Sequence, residues 1–261
     1  MPATAFITGA SSGIGAEFAR QLAAQQYDLI LVARREERLR ALAAEFARAH
    51  SLRVEVLVAD LSNLADIERV AARISELETL ELLINNAGFG MPGRFVEAEA
   101  AKQLAMLEVQ VVASTRLSRA ALPGMIARGR GTIINVSSLA AFFSMPGSVT
   151  YCSTKAYLNA FSKALQAELR GTGVQVQALC PGFTYTEFHD TPEFANFSRS
   201  TLPKLFWMKA ETVVAASLAA ARRGRVICIP GSGYRLIAML GRSGLASLLL
   251  NILMWLRGRA D

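Results

Sequence analysis

Three observations predict an α/β fold in which a parallel sheet is wound on both faces by helices. Short apolar runs alternate with helically spaced ones from residue 3 to residue 229. The first run and the helix after it enclose a glycine-rich turn, Thr8-Gly-Ala-Ser-Ser-Gly-Ile-Gly15. The chain has 261 residues, 52% of them hydrophobic, enough for one large core. Strands separated by helices at this rhythm pair in parallel, are covered on both sides, and need right-handed crossovers. No repeat, low-complexity tract or linker divides the chain, so residues 1–230 read as one domain and 231–261 as an apolar, basic helical extension.

Residues 3–7 form the first predicted strand. Phe18, Ala19, Leu22 and Ala23 mark the helix after the turn. Strand, glycine turn and helix in this order suit a nucleotide diphosphate. Gly9 permits the tight turn, and Gly13 and Gly15 put no side chain between backbone and ligand or between helix and strand. The helix amides around Ile14 would face the pyrophosphate, with the Ser11 and Ser12 hydroxyls as further donors. The spacing is Gly-x-x-x-Gly-x-Gly, so the glycines alone also fit an ordinary turn, and support must come from elsewhere. Residues 27–33 are the second strand, and Arg34 and Arg35 follow it. An acid at that strand end would bind a ribose 2′-hydroxyl, whereas arginine accommodates a 2′-phosphate. Glu36, Glu37 and Arg38 allow the alternative of a solvated helix start, but position at the strand end favours phosphate.

A helix over 36–50 leads to a third strand, 52–59, which ends in Asp60-Leu61. Asn63 caps the next helix, with Leu64, Ile67, Val70, Ile74 and Leu77 on its apolar face. The fourth strand, 80–84, runs into Asn85-Asn-Ala-Gly88, where amides can bond backbone across the sheet and the glycine leaves room for a flat ring. Residues 99–127 read as one long helix closed by Pro123 and Gly124. The fifth strand, 132–136, ends in Ser137-Ser138, and a helix from Ser148 carries Tyr151 and Lys155. The sixth strand, 174–180, ends in Pro181-Gly182. Residues 183–208 break the rhythm with seven aromatic residues and two prolines; a long segment at a strand end reads as a lid over an apolar substrate. A helix over 211–223 and a strand over 225–229 complete the domain.

Tyr151 and Lys155 lie four residues apart and share a helix face. A lysine ammonium beside a phenol favours the phenolate, lowering its pKa from about 10 toward neutral. Such a tyrosine can exchange a proton with a carbonyl or alcohol oxygen, and Ser138 can hydrogen-bond the same oxygen. The glycine turn, Asn85-Asn-Ala-Gly88, Ser138, Tyr151-Cys-Ser-Thr-Lys155 and Pro181-Gly182 occur in this order, and together they resemble the short-chain dehydrogenase/reductase family over residues 3–230. The resemblance implies a single Rossmann-type domain and nicotinamide chemistry. It makes Tyr151 the acid/base and Ser138 the group that positions the carbonyl, and Lys155 would bind the nicotinamide ribose. It places Asp60 and Leu61 at the adenine. Asn86, Ala87 and Gly88 line the cofactor, and Thr184 and Thr186, after Pro181-Gly182, meet its carboxamide and phosphates. NADP(H) is the implied cofactor in members with arginine after the second strand. The family's usual Asn in the long helix is here Gln110, one methylene longer, expected to support the water that links the lysine to solvent.

Cys152, Cys180 and Cys228 are widely spaced, without a CxxC pair or histidine cluster, so neither a disulfide framework nor a metal site is expected and a reducing cytoplasm fits best. No signal peptide is read at the N-terminus. Residues 222–261 carry seven arginines, no lysine and one acid, or +6 of the formal +7, which argues against nucleic-acid binding by the main domain. The apolar stretch 245–256 is too short for a membrane span. It suits packing on the core or on a second subunit of a homo-oligomer, an anionic inner-membrane surface, or an acidic acyl-carrier or coenzyme partner. The function expected is NADP(H)-dependent interconversion of a ketone or aldehyde and an alcohol on an apolar, 3-oxoacyl or steroid-like substrate. The alternatives are a non-catalytic NADP(H)-binding regulator and a membrane-associated scaffold.

Overall fold

The structure, a computed structural model, describes residues 2–242 except Asn196. Seven parallel strands form the sheet: β1 (Thr4–Thr8), β2 (Asp28–Ala33), β3 (Val54–Val58), β4 (Leu80–Asn85), β5 (Gly131–Val136), β6 (Val174–Leu179) and, two strands later in the chain, β9 (Ile227–Cys228). Their order is β3-β2-β1-β4-β5-β6-β9. The chain winds outward from β1 to β3, then returns to β4 on the other side of β1. Connections therefore diverge above the carboxyl ends of β1 and β4, and a crevice opens there.

Apolar faces explain the layers. On one side α1 (Gly13–Ala24), α2 (Glu36–Ala49) and α7 (Ala210–Ala221) bury Phe18, Leu22, Leu39, Val213 and Leu218 against the sheet. On the other, α3 (Leu64–Ser75) and α5 (Ala113–Ala127) bury Ile67, Val70, Ile74, Leu117 and Met125. Asn63 caps α3, its side chain accepting from the Ala65 amide. A buried polar chain joins the layers beneath the crevice. Asn85 Nδ2 donates to Asn135 Oδ1 at 2.8 Å and to Ser118 Oγ at 3.1 Å. Asn135 Nδ2 donates to Ser162 Oγ, on α6 (Val149–Glu168), at 2.9 Å. These directional bonds fix register where apolar packing alone would tolerate sliding, although Asn85 Oδ1 itself is buried without a partner among the described residues.

Three regions differ from their expected form. The long helix over 99–127 is two helices, α4 (Ala100–Leu107) and α5, joined by a π-helical turn over Glu108–Val112. Pro123 does not close it: α5 continues to Ala127, with Ala121 and Met125 fixed in the core on either side of the proline. The last strand is only two residues long, paired with the end of β6. The 183–208 segment is ordered by short 3₁₀ turns. Its two ends meet as a second, parallel pair, β7 (Thr184–Tyr185) with β8 (Met208–Lys209).

Helix α8 (Ser232–Arg242) follows β9 and buries Tyr234 and Ala238. The Tyr234 hydroxyl accepts from the Phe183 amide at 3.0 Å and donates to the Phe206 carbonyl, so α8 staples both ends of the 183–208 segment. No helix among the described residues is long and apolar enough to cross a membrane. The apolar stretch 245–256 lies outside the described residues.

Candidate active site

A cavity of about 970 Å³ lies over the carboxyl ends of the strands at the β1/β4 divergence. One wall begins with the turn after β1. Gly9 and Gly13 take positive φ (65° and 55°), which non-glycine residues rarely adopt. The first amides of α1 have no hydrogen-bond partner among the described residues, and Ser12 at the helix start caps none of them with its side chain. Free amides at a helix start suit an anion. Gly15 lies behind the wall rather than on it. A Cβ there would sit 2.3 Å from the Gly9 carbonyl oxygen, so this glycine serves helix–turn packing and not cofactor contact.

Ser11, Ser12 and Ile14 line the cavity beside Arg34 and Arg35. Arg35 donates from Nε and Nη2 to Ser11 Oγ (3.2 and 3.1 Å), from Nη2 to Ser12 Oγ (2.7 Å), and from Nη1 to Glu187 (2.9 Å). Arg34 faces Asp60 at 3.6 Å. Burial alone would raise the Asp60 carboxyl, but the bonds it accepts from the Ser62 amide and hydroxyl, together with Arg34, hold it below the usual range. Leu61 is buried next to it on the same wall. Asn86 Nδ2 donates to the Thr8 and Gly9 carbonyls at 2.9 and 3.1 Å, which ties the β4 end to the glycine turn and leaves Ala87 and Gly88 facing the cavity. Thr8 was not singled out by its residue type. Its hydroxyl accepts from the Asn86 and Ala87 amides and donates to the Ile84 carbonyl, holding this junction from below.

The far wall holds the candidate catalytic residues. Ser138 follows β5, and Tyr151 and Lys155 come from the first two turns of α6; all three line the cavity. Ser138 hydrogen-bonds the Tyr151 phenol, and its Oγ accepts from the Ala140 amide at 3.1 Å. Lys155 is 4% exposed, donates from Nζ to the Val136 carbonyl at 2.9 Å, and stands 5.6 Å from the centre of the Tyr151 ring. In the chain without cofactor, burial dominates the phenol pKa. Burial pushes it up to about 12 against the Ser138 hydrogen bond. Burial also pulls the lysine down to about 7, so the residue meant to supply positive charge holds its own proton weakly.

Gln110 lies apart from these three residues. It sits fully buried in the π-turn and does not line the cavity. Its Nε2 donates to the Phe89 carbonyl at 2.8 Å, and its Oε1 accepts a long bond, 3.4 Å, from Thr154. The extra methylene carries the amide to backbone beside Gly88, where a Cβ would meet the Gln110 side chain at 3.3 Å. Lysine contact is not made.

Pro181, Gly182, Thr184 and Thr186 line the mouth toward the 183–208 segment. Thr186 approaches the glycine turn so closely that a Cβ on Gly13 would lie 3.1 Å from its side chain. Beyond it Phe188 meets the Tyr151 ring at 5.8 Å between centroids. His189 contacts Phe183, Phe188, Phe194, Phe197 and Trp207 at 5.0–5.6 Å, and burial lowers its pKa, keeping it neutral inside this aromatic cluster. Phe188 and Phe194 press on Gly90, where a Cβ would come within 2.9 and 3.0 Å of their rings.

The short chain dehydrogenase family matches residues 3–193. The chain belongs to this family. A short-chain dehydrogenase from Sphingobium yanoikuyae, solved in complex with NADPH, is 38% identical with a TM-score of 0.83 over 95% of this chain and 96% of that one. The bulky-bulky ketone specific alcohol dehydrogenase of Comamonas testosteroni is 32% identical with a TM-score of 0.79 over 95% and 94%. A very-long-chain 3-oxoacyl-CoA reductase of Anas platyrhynchos is 32% identical over 190 residues, 71% of this chain; the match spans 61% of that relative's length. The chain thus has the Rossmann-type sheet of the short-chain dehydrogenase family. Its wall fits a dinucleotide: unpartnered helix amides for a pyrophosphate, two guanidiniums at the β2 end, and Tyr151 and Lys155 at the opposite end.

Proposed function

We infer that this short-chain dehydrogenase is NADP(H)-dependent and interconverts an apolar ketone and its alcohol, with Tyr151 as the acid/base. The observation that carries the reading is the position of Ser138, Tyr151 and Lys155 on one wall of a cavity that runs from the glycine turn and Arg34/Arg35 to an aromatic lid. The nicotinamide supplies or accepts the hydride when bound. The chain does the rest. Ser138 donates to the carbonyl oxygen of the substrate, and Tyr151 gives that oxygen its proton. A phenol that keeps its proton up to about 12 is fully protonated at neutral pH, as reduction requires. Lys155, held by the Val136 carbonyl, is placed to meet the nicotinamide ribose and to return a proton toward the phenol.

Phe188, Phe194, Phe197 and the Gly90–Pro92 loop present an apolar wall beyond the tyrosine. This favours a bulky apolar ketone, long-chain 3-oxoacyl or steroid-like, and the Comamonas and Anas relatives support the same choice. The test is NADPH oxidation with a panel of 3-oxoacyl thioesters, steroid ketones and small polar ketones. Turnover of the apolar members is expected. NADPH binding without turnover of any ketone would instead establish a non-catalytic cofactor-binding protein.

A further inference from the structure

Among the described residues, Glu187 is the one lid residue that reaches the β2 end of the cavity by an ion pair. Its Oε2 accepts from Arg35 Nη1 at 2.9 Å and its Oε1 from Arg38 Nη1. Both guanidiniums hold its carboxyl below the usual range, Arg38 foremost. Arg35 has five N–H donors in a fixed fork, and Ser11, Ser12 and Glu187 already take four hydrogen bonds from them. Arg34 is largely exposed, with Asp60 at 3.6 Å, whereas Arg35 is taken up by Ser11, Ser12 and Glu187, so a 2′-phosphate that bridges Arg34 to Arg35 competes with Glu187. The neighbours of Glu187 are Thr186, packed on Gly13, and Phe188, packed on the Tyr151 ring. One carboxylate thus ties the guanidiniums to the segment that covers the catalytic tyrosine.

Resting on the NADP(H) reading, we propose that Glu187 is an internal stand-in for the 2′-phosphate and latches the lid until that phosphate displaces it. A phosphate monoester brings a charge of about −1.5 to −2 against the −1 of the carboxylate, so it wins the Arg35/Arg38 pair. NAD(H), without that phosphate, leaves the latch in place. Cofactor selectivity and lid release are then one event, and apolar substrate is admitted after NADP(H) has bound.

The test uses the full chain carrying Trp255→Phe, which leaves Trp207 in the lid as the sole tryptophan. Titrations of 2′,5′-ADP and 5′-AMP are read by Trp207 emission and by calorimetry, with and without Glu187→Gln. Glu187 is about half exposed, so the substitution does not threaten folding. With Glu187 present, 2′,5′-ADP should change the emission and 5′-AMP should not. With Glu187→Gln, 2′,5′-ADP should bind about fivefold tighter, the scale of an exposed ion pair, and its emission change should largely vanish because the lid is already released. Unchanged or weaker 2′,5′-ADP binding in Glu187→Gln, with 2′,5′-ADP still preferred over 5′-AMP, overturns the latch alone. Equal binding of the two nucleotides to the parent chain overturns the NADP(H) reading itself.

Discussion

Tyr151 is placed by two unlike contacts, the Ser138 hydroxyl on one side and the Phe188 ring on the other. The first is chemical, the second excludes water. Tyr151→Phe removes only the hydroxyl, so turnover should fall by roughly a hundredfold to ten-thousandfold, the usual worth of a general acid, while NADPH binding stays within about twofold. Near-normal ketone reduction by the Phe variant would refute the assignment. Lys155 makes a separate prediction from its burial. Its pKa is about 7 in the folded chain against an ordinary 10.5. Between those values the unfolded chain binds a proton that the folded chain does not, so this residue makes stability rise with pH, by at most about 1.4 kcal/mol per unit. The destabilisation is fully present below pH 7 and relieved toward 10.5. Denaturant titrations of the parent and of Lys155→Met at pH 7 and pH 10 should show the parent gaining on the variant at the higher pH. A constant difference would mean that the lysine is charged in the fold.

At the scale of elements, the lid depends on α8. Tyr234 Oη holds both ends of the 183–208 segment, and Gly182 yields it space: a Cβ there would lie 2.1 Å from the tyrosine ring. Tyr234→Phe leaves the Phe183 amide without that acceptor and the Phe206 carbonyl without its donor. The expected cost is about 1–3 kcal/mol in denaturant unfolding, with faster protease cleavage inside 183–208 than elsewhere. Cleavage at the parental rate would show that β7 and β8 close the lid unaided. The π-turn is the other informative element. It lodges Gln110 against Phe89 and Gly88, where its amide donates to the Phe89 carbonyl at 2.8 Å.

For the whole molecule, the winding order gathers Arg34 and Arg35 from the end of β2, the glycine turn from β1 and the tyrosine from α6 around one crevice. Cofactor choice is a property of that assembly. NADP(H) should bind at least about tenfold more tightly than NAD(H), near 1.4 kcal/mol, and an Arg34→Ala, Arg35→Ala protein should lose the preference. Fluorescence titration of both cofactors decides it; a preference that survives the double substitution would move the phosphate site away from the β2 end.

The strands, the helix faces and the order of the motifs were readable before any coordinates because they rest on local physics. Periodicity reports which face is buried, and a glycine with positive φ reports a turn that other residues avoid. Gly9 and Gly13 were found from the turn between strand and helix, and Ser138, Tyr151 and Lys155 from their spacing and the order of the motifs; all line the cavity. What stayed hidden depends on contacts between residues far apart in the chain. Glu187 meets Arg35 across 152 positions, and Tyr234 reaches Phe183 across 51. Gln110 turns to Phe89, Gly15 packs on its own turn, and burial raises the Tyr151 pKa. A sequence names the groups that can ionise or donate, but distance, direction and loss of water set which partner each one takes, and those follow only from the packed chain.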